Sequence, residues 1–154
     1  MLYSLPVDDV EVTVHPQSIV HSMIKTKDGA VLAQLGYPSM KLPIQYALTY
    51  PSRLPCGVPK LDFSSGMELT FERPDTDRFP CLELAYEAGR VGGTMPACMN
   101  AANEKAVRLF MDGKIGFTDI PAIVERAMAR HKSIAHPAVD DIIGVSFETY
   151  ARAE

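Results

Sequence analysis

With 154 residues, 47% of them hydrophobic and 22% charged, the chain can bury a real core and is not a disordered tail. Its net charge of −4 is spread over interspersed acidic and basic residues, which leaves no basic footprint for nucleic acid. No apolar run approaches the roughly 18 residues that cross a bilayer, and the opening Met1-Leu-Tyr-Ser-Leu-Pro6 lacks the basic start and apolar stretch of a signal peptide, so neither membrane association nor a leader is expected.

The first third has a two-residue period. Val10, Val12 and Val14 alternate with Glu11, Thr13 and His15, which predicts a half-buried strand. A second strand is predicted from Ile19 to Thr26, a turn at Lys27-Asp28-Gly29, and a returning strand from Ala30 to Leu35. Gly36-Tyr37-Pro38 breaks the alternation, and a short helix is expected from Ile44 to Tyr50 with Pro43 in its first turn. From 51 to 66, three prolines, two glycines and Ser64-Ser65 predict an extended linker, after which Met67 to Glu72 is expected to add one more strand.

Pro74 and Asp75 open a half with helical periodicity. Leu82, Ala85 and Tyr86 form one apolar face, expected to end at Gly89 and Gly92-Gly93. Thr94 is the expected cap of a second helix, with Pro96 in its first turn, an apolar face from Cys98 through Ala101, Ala102, Ala106, Leu109 and Phe110, and a stop at Asp112-Gly113. Thr118 is the expected cap of a third helix, with Ile120, Ile123, Val124, Ala127 and Met128 on one stripe. A fourth carries Val139, Ile142, Ile143, Phe147 and Tyr150, and Asp140-Asp141 place negative charge in its first turn. Four amphipathic helices with short connections are expected to bury their stripes against one another as a small bundle. The predicted class is therefore α+β.

Three cysteines, Cys56, Cys81 and Cys98, are widely spaced with no CxxC pair, as reduced thiols of a cytoplasmic protein would be. His15 and His21 are six residues apart, but Pro16 interrupts the alternation and no carboxylate pair completes a metal site, so no metal ligand is assigned. No glycine-rich strand-to-helix turn for a dinucleotide is present, since Gly92-Gly93-Thr94 joins two helices. The amides and carboxylate of Asn100-Ala-Ala-Asn103-Glu104 fall in a helix and are read as packing or loop-bracing residues.

Several segments read together carry a resemblance: His15-Pro-Gln-Ser-Ile-Val-His21-Ser-Met23, Asp28 to Gly36, Met40 to Ile44, Leu69 to Asp75, Arg78 to Leu82, Gly92 to Ala97, Asn100 to Glu104 and Phe117 to Pro121. In this order they resemble the 1-deoxy-D-xylulose 5-phosphate reductoisomerase family over nearly the whole chain. The resemblance implies an NADPH- and divalent-metal-dependent (Mg²⁺ or Mn²⁺) oxidoreductase of non-mevalonate isoprenoid biosynthesis, acting on a small phosphorylated sugar as a homodimer. It also implies that the dinucleotide fold and metal carboxylates lie upstream, so that this is a C-terminal portion lacking its N-terminal partner segments. On that basis residues 1–50 are expected to be part of the central catalytic domain, 51–73 a proline-rich linker, and 74–154 the helical bundle. His21 is expected near the substrate in a supporting catalytic role, and Pro38 and Met40 at the nicotinamide end of the cofactor pocket. The chain alone is expected to bind neither NADPH nor metal. The alternative is a truncated, non-catalytic structural or dimerisation module.

Overall fold

A computed structural model describes residues 5–153; residues 1–4, the start of the segment read for a leader, and residue 154 lie outside it. Two compact units divide the described residues, one formed by residues 12–74 and the other by residues 5–11 with 75–153. The class is α+β, as expected.

In the first unit, β1 (Val20–Lys25) and β2 (Val31–Leu35) pair antiparallel, and α1 (Lys41–Thr49) follows. Helix α1 starts three residues earlier than the periodicity suggests, because Pro43 is tolerated inside the first turn, where its missing N–H has no helical partner to lose. The predicted strands Val10–Val14 and Met67–Glu72 do not form. Each shrinks to one residue of an isolated bridge, Val14 to Glu72. Alternation alone makes no ladder, and Val10, Val12 and Val14 are all exposed. Residues 51–66 hold no helix or strand.

The second unit contains a short 3₁₀ turn (Val7–Asp9), α2 (Cys81–Val91), α3 (Met95–Met111), α4 (Asp119–Arg130) and α5 (Val139–Arg152). Its core is centred on the small residues of α3. Cys98, Ala101, Ala102 and Ala106 are buried, and Ile120, Ile123, Val124 and Met128 of α4 share one cluster with Ala102 and Ala106. Each such α4 side chain contributes roughly 1.5–3 kcal/mol through removal from water. Gly89 does not end α2, contrary to expectation. It lies inside the helix where Val7 packs, and an added Cβ would meet Val7 Cγ2 at 2.7 Å.

The expected threonine caps do not act as caps. Thr94 and Thr118 occupy the cap positions in helical conformation, without a side-chain bond to the first turn. Thr94 is fully buried and spends its hydroxyl elsewhere: Oγ1 accepts the Ile134 N–H at 3.0 Å and meets His131 Nε2 at 2.8 Å. The Thr94 N–H donates to Ser133 Oγ at 3.1 Å, and Ser133 Oγ donates to the Gly92 carbonyl at 3.0 Å. This network ties the α2–α3 turn to the segment after α4. At α4 it is the Asp119 carboxylate that accepts a local N–H, from Gly116 at 2.8 Å.

Helix α5 departs most from the expected bundle. Its five stripe residues stay exposed, Val139 and Phe147 to more than 70%. The core is formed by α2, α3 and α4 with Ala153 just after α5, and α5 meets α3 beside a shallow groove where Asn100 and Glu104 face Ile143, Phe147 and Tyr150.

Two glycines separate steric clash from backbone strain. Gly93 (φ 56°) lies so close to Ile134 that an added Cβ would sit 2.2 Å from its carbonyl oxygen, whereas Gly113 (φ 70°) has open space. Gly113→Ala is expected to cost about 1 kcal/mol and Gly93→Ala about 3 kcal/mol or more, measured by denaturant unfolding. Equal losses would contradict the packing described.

Candidate functional site

His21 lies on β1, and its position in the ladder is irregular. Val20 pairs with Leu35 and Ser22 with Gln34, so His21 is the extra residue of a β-bulge; regular pairing resumes to Lys25 and Val31. A bulge turns a side chain out of the alternation and strengthens the local twist. The His21 imidazole is exposed there.

The hairpin is closed by side chains as well as backbone. The Thr26 N–H donates to the Ala30 carbonyl at 2.9 Å, and Gly29 takes φ 89°. The Asp28 carboxylate accepts the Thr26 hydroxyl and, at 3.2 Å, the Ala30 N–H. These bonds, the Thr26 hydroxyl first, hold the Asp28 carboxyl below its ordinary value of 3.8. At the other end Ile19 is buried and its carbonyl accepts the Gly36 N–H at 2.9 Å.

Pro38 and Met40 occupy the connection from β2 to α1, both exposed; Met40, at 70%, immediately precedes α1. The three expected site residues thus lie in one unit, on a bulge and on the connection that leaves the same hairpin. His15 is differently engaged. Its Nδ1 lies 2.8 Å from the Thr70 carbonyl oxygen, which can only accept, so Nδ1 carries the proton. Its ring stacks on Phe71 with centroids 4.7 Å apart.

Sequence reading missed Gln17, Ser18 and Thr70. Gln17 and Thr70 exchange side-chain hydrogen bonds, and Ser18 is in the left-handed region at φ 51°. The turn signal of Pro16 was visible; its partners more than 50 residues away were not.

Among the described residues no group of three or more His, Cys, Asp or Glu side chains is placed to hold a metal. Asn100 donates to Glu104 Oε1 at 3.0 Å on the exposed surface of α3. All three cysteines are free, and burial raises the Cys81 and Cys98 thiols above their ordinary value.

A bulged hairpin and a helical unit thus define an α+β protein, and proteins of known function share it. A family model described as the DXP reductoisomerase C-terminal domain matches residues 35–153. The chain is 59% identical over 144 residues to the 1-deoxy-D-xylulose 5-phosphate reductoisomerase of Acetivibrio thermocellus, covering 94% of this chain and 38% of that protein. It is 55% identical over 142 residues to the same enzyme of Pelotomaculum thermopropionicum, covering 92% of this chain and 37% of that one. Among solved structures, the reductoisomerase from Zymomonas mobilis in complex with NADPH matches with TM-score 0.90 and 43% identity, over 99% of this chain and 40% of that one. A DOX-P reductoisomerase in complex with NADPH, fosmidomycin and magnesium matches with TM-score 0.84 and 38% identity, over 92% of this chain and 37% of that one. The chain belongs to the DXP reductoisomerase C-terminal domain family. It spans about two fifths of the length of these relatives.

The hairpin turn has a pH dependence whose sign follows from Asp28. A depressed carboxyl stabilises the folded turn above its unfolded pKa, and that contribution disappears as pH falls through the still lower folded value. Amide exchange at Ala30 and Val31 is expected to gain protection from the carboxylate above about pH 4 and to lose it on further acidification; in Asp28→Ala that pH-dependent step is absent. An unchanged step in Asp28→Ala would contradict the assignment.

Proposed function

We propose that the chain is the C-terminal portion of an NADPH- and divalent-metal-dependent reductoisomerase. The complete enzyme converts 1-deoxy-D-xylulose 5-phosphate to 2-C-methyl-D-erythritol 4-phosphate in non-mevalonate isoprenoid biosynthesis. The observation that carries this reading is the family match over residues 35–153, together with relatives named 1-deoxy-D-xylulose 5-phosphate reductoisomerase. A cytoplasmic homodimer is part of the same reading; among the described residues, no helix is long and apolar enough to cross a membrane.

Within that enzyme, His21 at the bulge approaches the substrate and supports its reaction through hydrogen bonding or proton transfer. Pro38 and Met40 offer an apolar, polarisable surface suited to the face of a nicotinamide ring. NADPH supplies the hydride when bound. The phosphate end of a dinucleotide needs a glycine-rich turn at a helix N-terminus, and Gly92-Gly93 does not provide one: Gly93 is a packing glycine against Ile134. The described residues do not fit a metal centre, and no metal-dependent step is assigned to this chain. Both ligands require the segments found upstream in the relatives.

The isolated chain is therefore expected to be catalytically silent. Its surface favours a second reading, a non-catalytic module that associates through uncovered surface. Ile19 is the one buried hydrophobic side chain described between residues 12 and 74, while Ile24, Val31, Leu32 and Leu48 stand more than half exposed.

Fluorescence titration of the 154-residue chain with NADPH is expected to show no micromolar binding, and sedimentation to show self-association. Joined to the upstream part of the Acetivibrio thermocellus relative, the chain is expected to turn over substrate. In that protein His21→Ala should lower kcat at least tenfold, and Met40→Ala should raise the KM for NADPH severalfold. Micromolar binding by the chain alone, or no turnover by the joined protein, would contradict the proposal.

A further inference from the structure

The bulge that carries His21 depends on what holds β1 in place, and the hairpin itself buries almost nothing. The described contacts converge just upstream of β1. Val14 and Glu72 exchange both backbone hydrogen bonds at 2.9 Å, and the Thr13 hydroxyl donates to the Glu72 carbonyl at 3.0 Å. His15 Nδ1–H donates to the Thr70 carbonyl, and the His15 ring lies nearly parallel to Phe71 at 16°. Gln17 and Thr70 are joined three times. The Gln17 amide donates to Thr70 Oγ1 at 2.8 Å, and Gln17 Oε1 accepts both the Thr70 N–H and the Thr70 hydroxyl at 3.2 Å. Residues 13–17 are thereby clasped to residues 70–72, more than 50 positions away in sequence.

Directly after this clasp comes Ser18, at φ 51°. A non-glycine residue in the left-handed region costs on the order of 1 kcal/mol and persists only where its neighbours over-determine it. Both neighbours do so. On one side the Ser18 N–H closes a turn to the His15 carbonyl at 3.0 Å; on the other, Ile19 is buried and bonded to Gly36. Two residues beyond Ile19 is His21, the extra residue of the bulge.

We propose that His15, Gln17 and Thr70 are positioning residues: their clasp, transmitted through the left-handed Ser18 and the anchored Ile19, sets the bulge and hence the direction of His21. No contact of the three with a ligand is required. The proposal rests on the functional reading above only in taking His21 as the residue that matters for the reaction. The clasp is a property of the 154-residue chain and is testable in it.

Residue-resolved amide exchange of the 154-residue chain is the first measurement. Thr70→Val keeps the side-chain shape and removes only the hydroxyl; His15→Leu removes the ring donor. Each is expected to speed exchange across Val20–Lys25 at least tenfold while α3 and α4 keep their rates. His15→Asn, whose side-chain amide can donate to the Thr70 carbonyl in place of Nδ1, is expected to return β1 to within about threefold of the parent. Unchanged β1 exchange in both variants, or no recovery in His15→Asn, overturns the clasp. The second measurement is a double-mutant cycle in the chain joined to the upstream part of its relative. His15→Leu should lower kcat at least fivefold with His21 present and less than twofold in a His21→Ala background, because it acts through His21. Equal losses in both backgrounds would make the clasp merely structural and overturn the positioning role. A joined parent protein without turnover would count against the functional reading, with the exchange data still deciding the clasp.

Discussion

The second unit depends on the short side chains on one face of α3. Ala102 and Ala106 are fully buried in one cluster with Ile123 and Val124, and side chains of that size let α4 approach closely enough for both to be excluded from water. At the N-terminal end of the same helix, Thr94 fixes the entry of α3 by bonding across to Ser133 and Ile134. A buried hydroxyl without partners costs about 1–3 kcal/mol, so the Thr94 network helps to fix the return of the chain after α4. Gly93 belongs to the same constraint, since its missing Cβ leaves room for the Ile134 carbonyl.

The 12–74 unit is built on the opposite principle. It holds little apolar core, and its order comes from hydrogen bonds: the Asp28 turn, the Ile19–Gly36 pair and the long-range clasp between residues 13–17 and 70–72. A two-stranded hairpin is marginal in water without additional strands or a covering layer. The candidate site residues His21, Pro38 and Met40 stand in this unit, exposed. Low local stability and a bulge are common features of places where a protein handles a ligand. The exposed stripe of α5 is a comparable surface in the helical unit.

Helix periodicity revealed more of the fold than strand alternation did. The α3 and α4 stripes were legible because a helix forms its own hydrogen bonds and its pattern needs only one buried face. The alternating valines from Val10 to Val14 failed as a strand because a strand takes its bonds from a partner, and here the partner is Glu72 alone. Gly89 read as a helix end because the sequence hides the approach of Val7, and the α5 stripe read as core because periodicity records an apolar face without recording what covers it. Of the site, the motif around His21 was visible, but the bulge was not: a ladder irregularity depends on the register of two strands. Gln17, Ser18 and Thr70 were hidden for the related reason that their significance lies in contacts across more than 50 residues.

Two units with different sources of order share one chain, a helical unit with its own core and a hairpin unit held by hydrogen bonds. Native-state hydrogen exchange followed through rising denaturant tests it most directly. Amides of α3 and α4 are expected to exchange only by global unfolding, while those of Val20–Lys25 and Val31–Leu35 open at a distinctly lower free energy. A single opening free energy shared by β1, β2, α3 and α4 would contradict it.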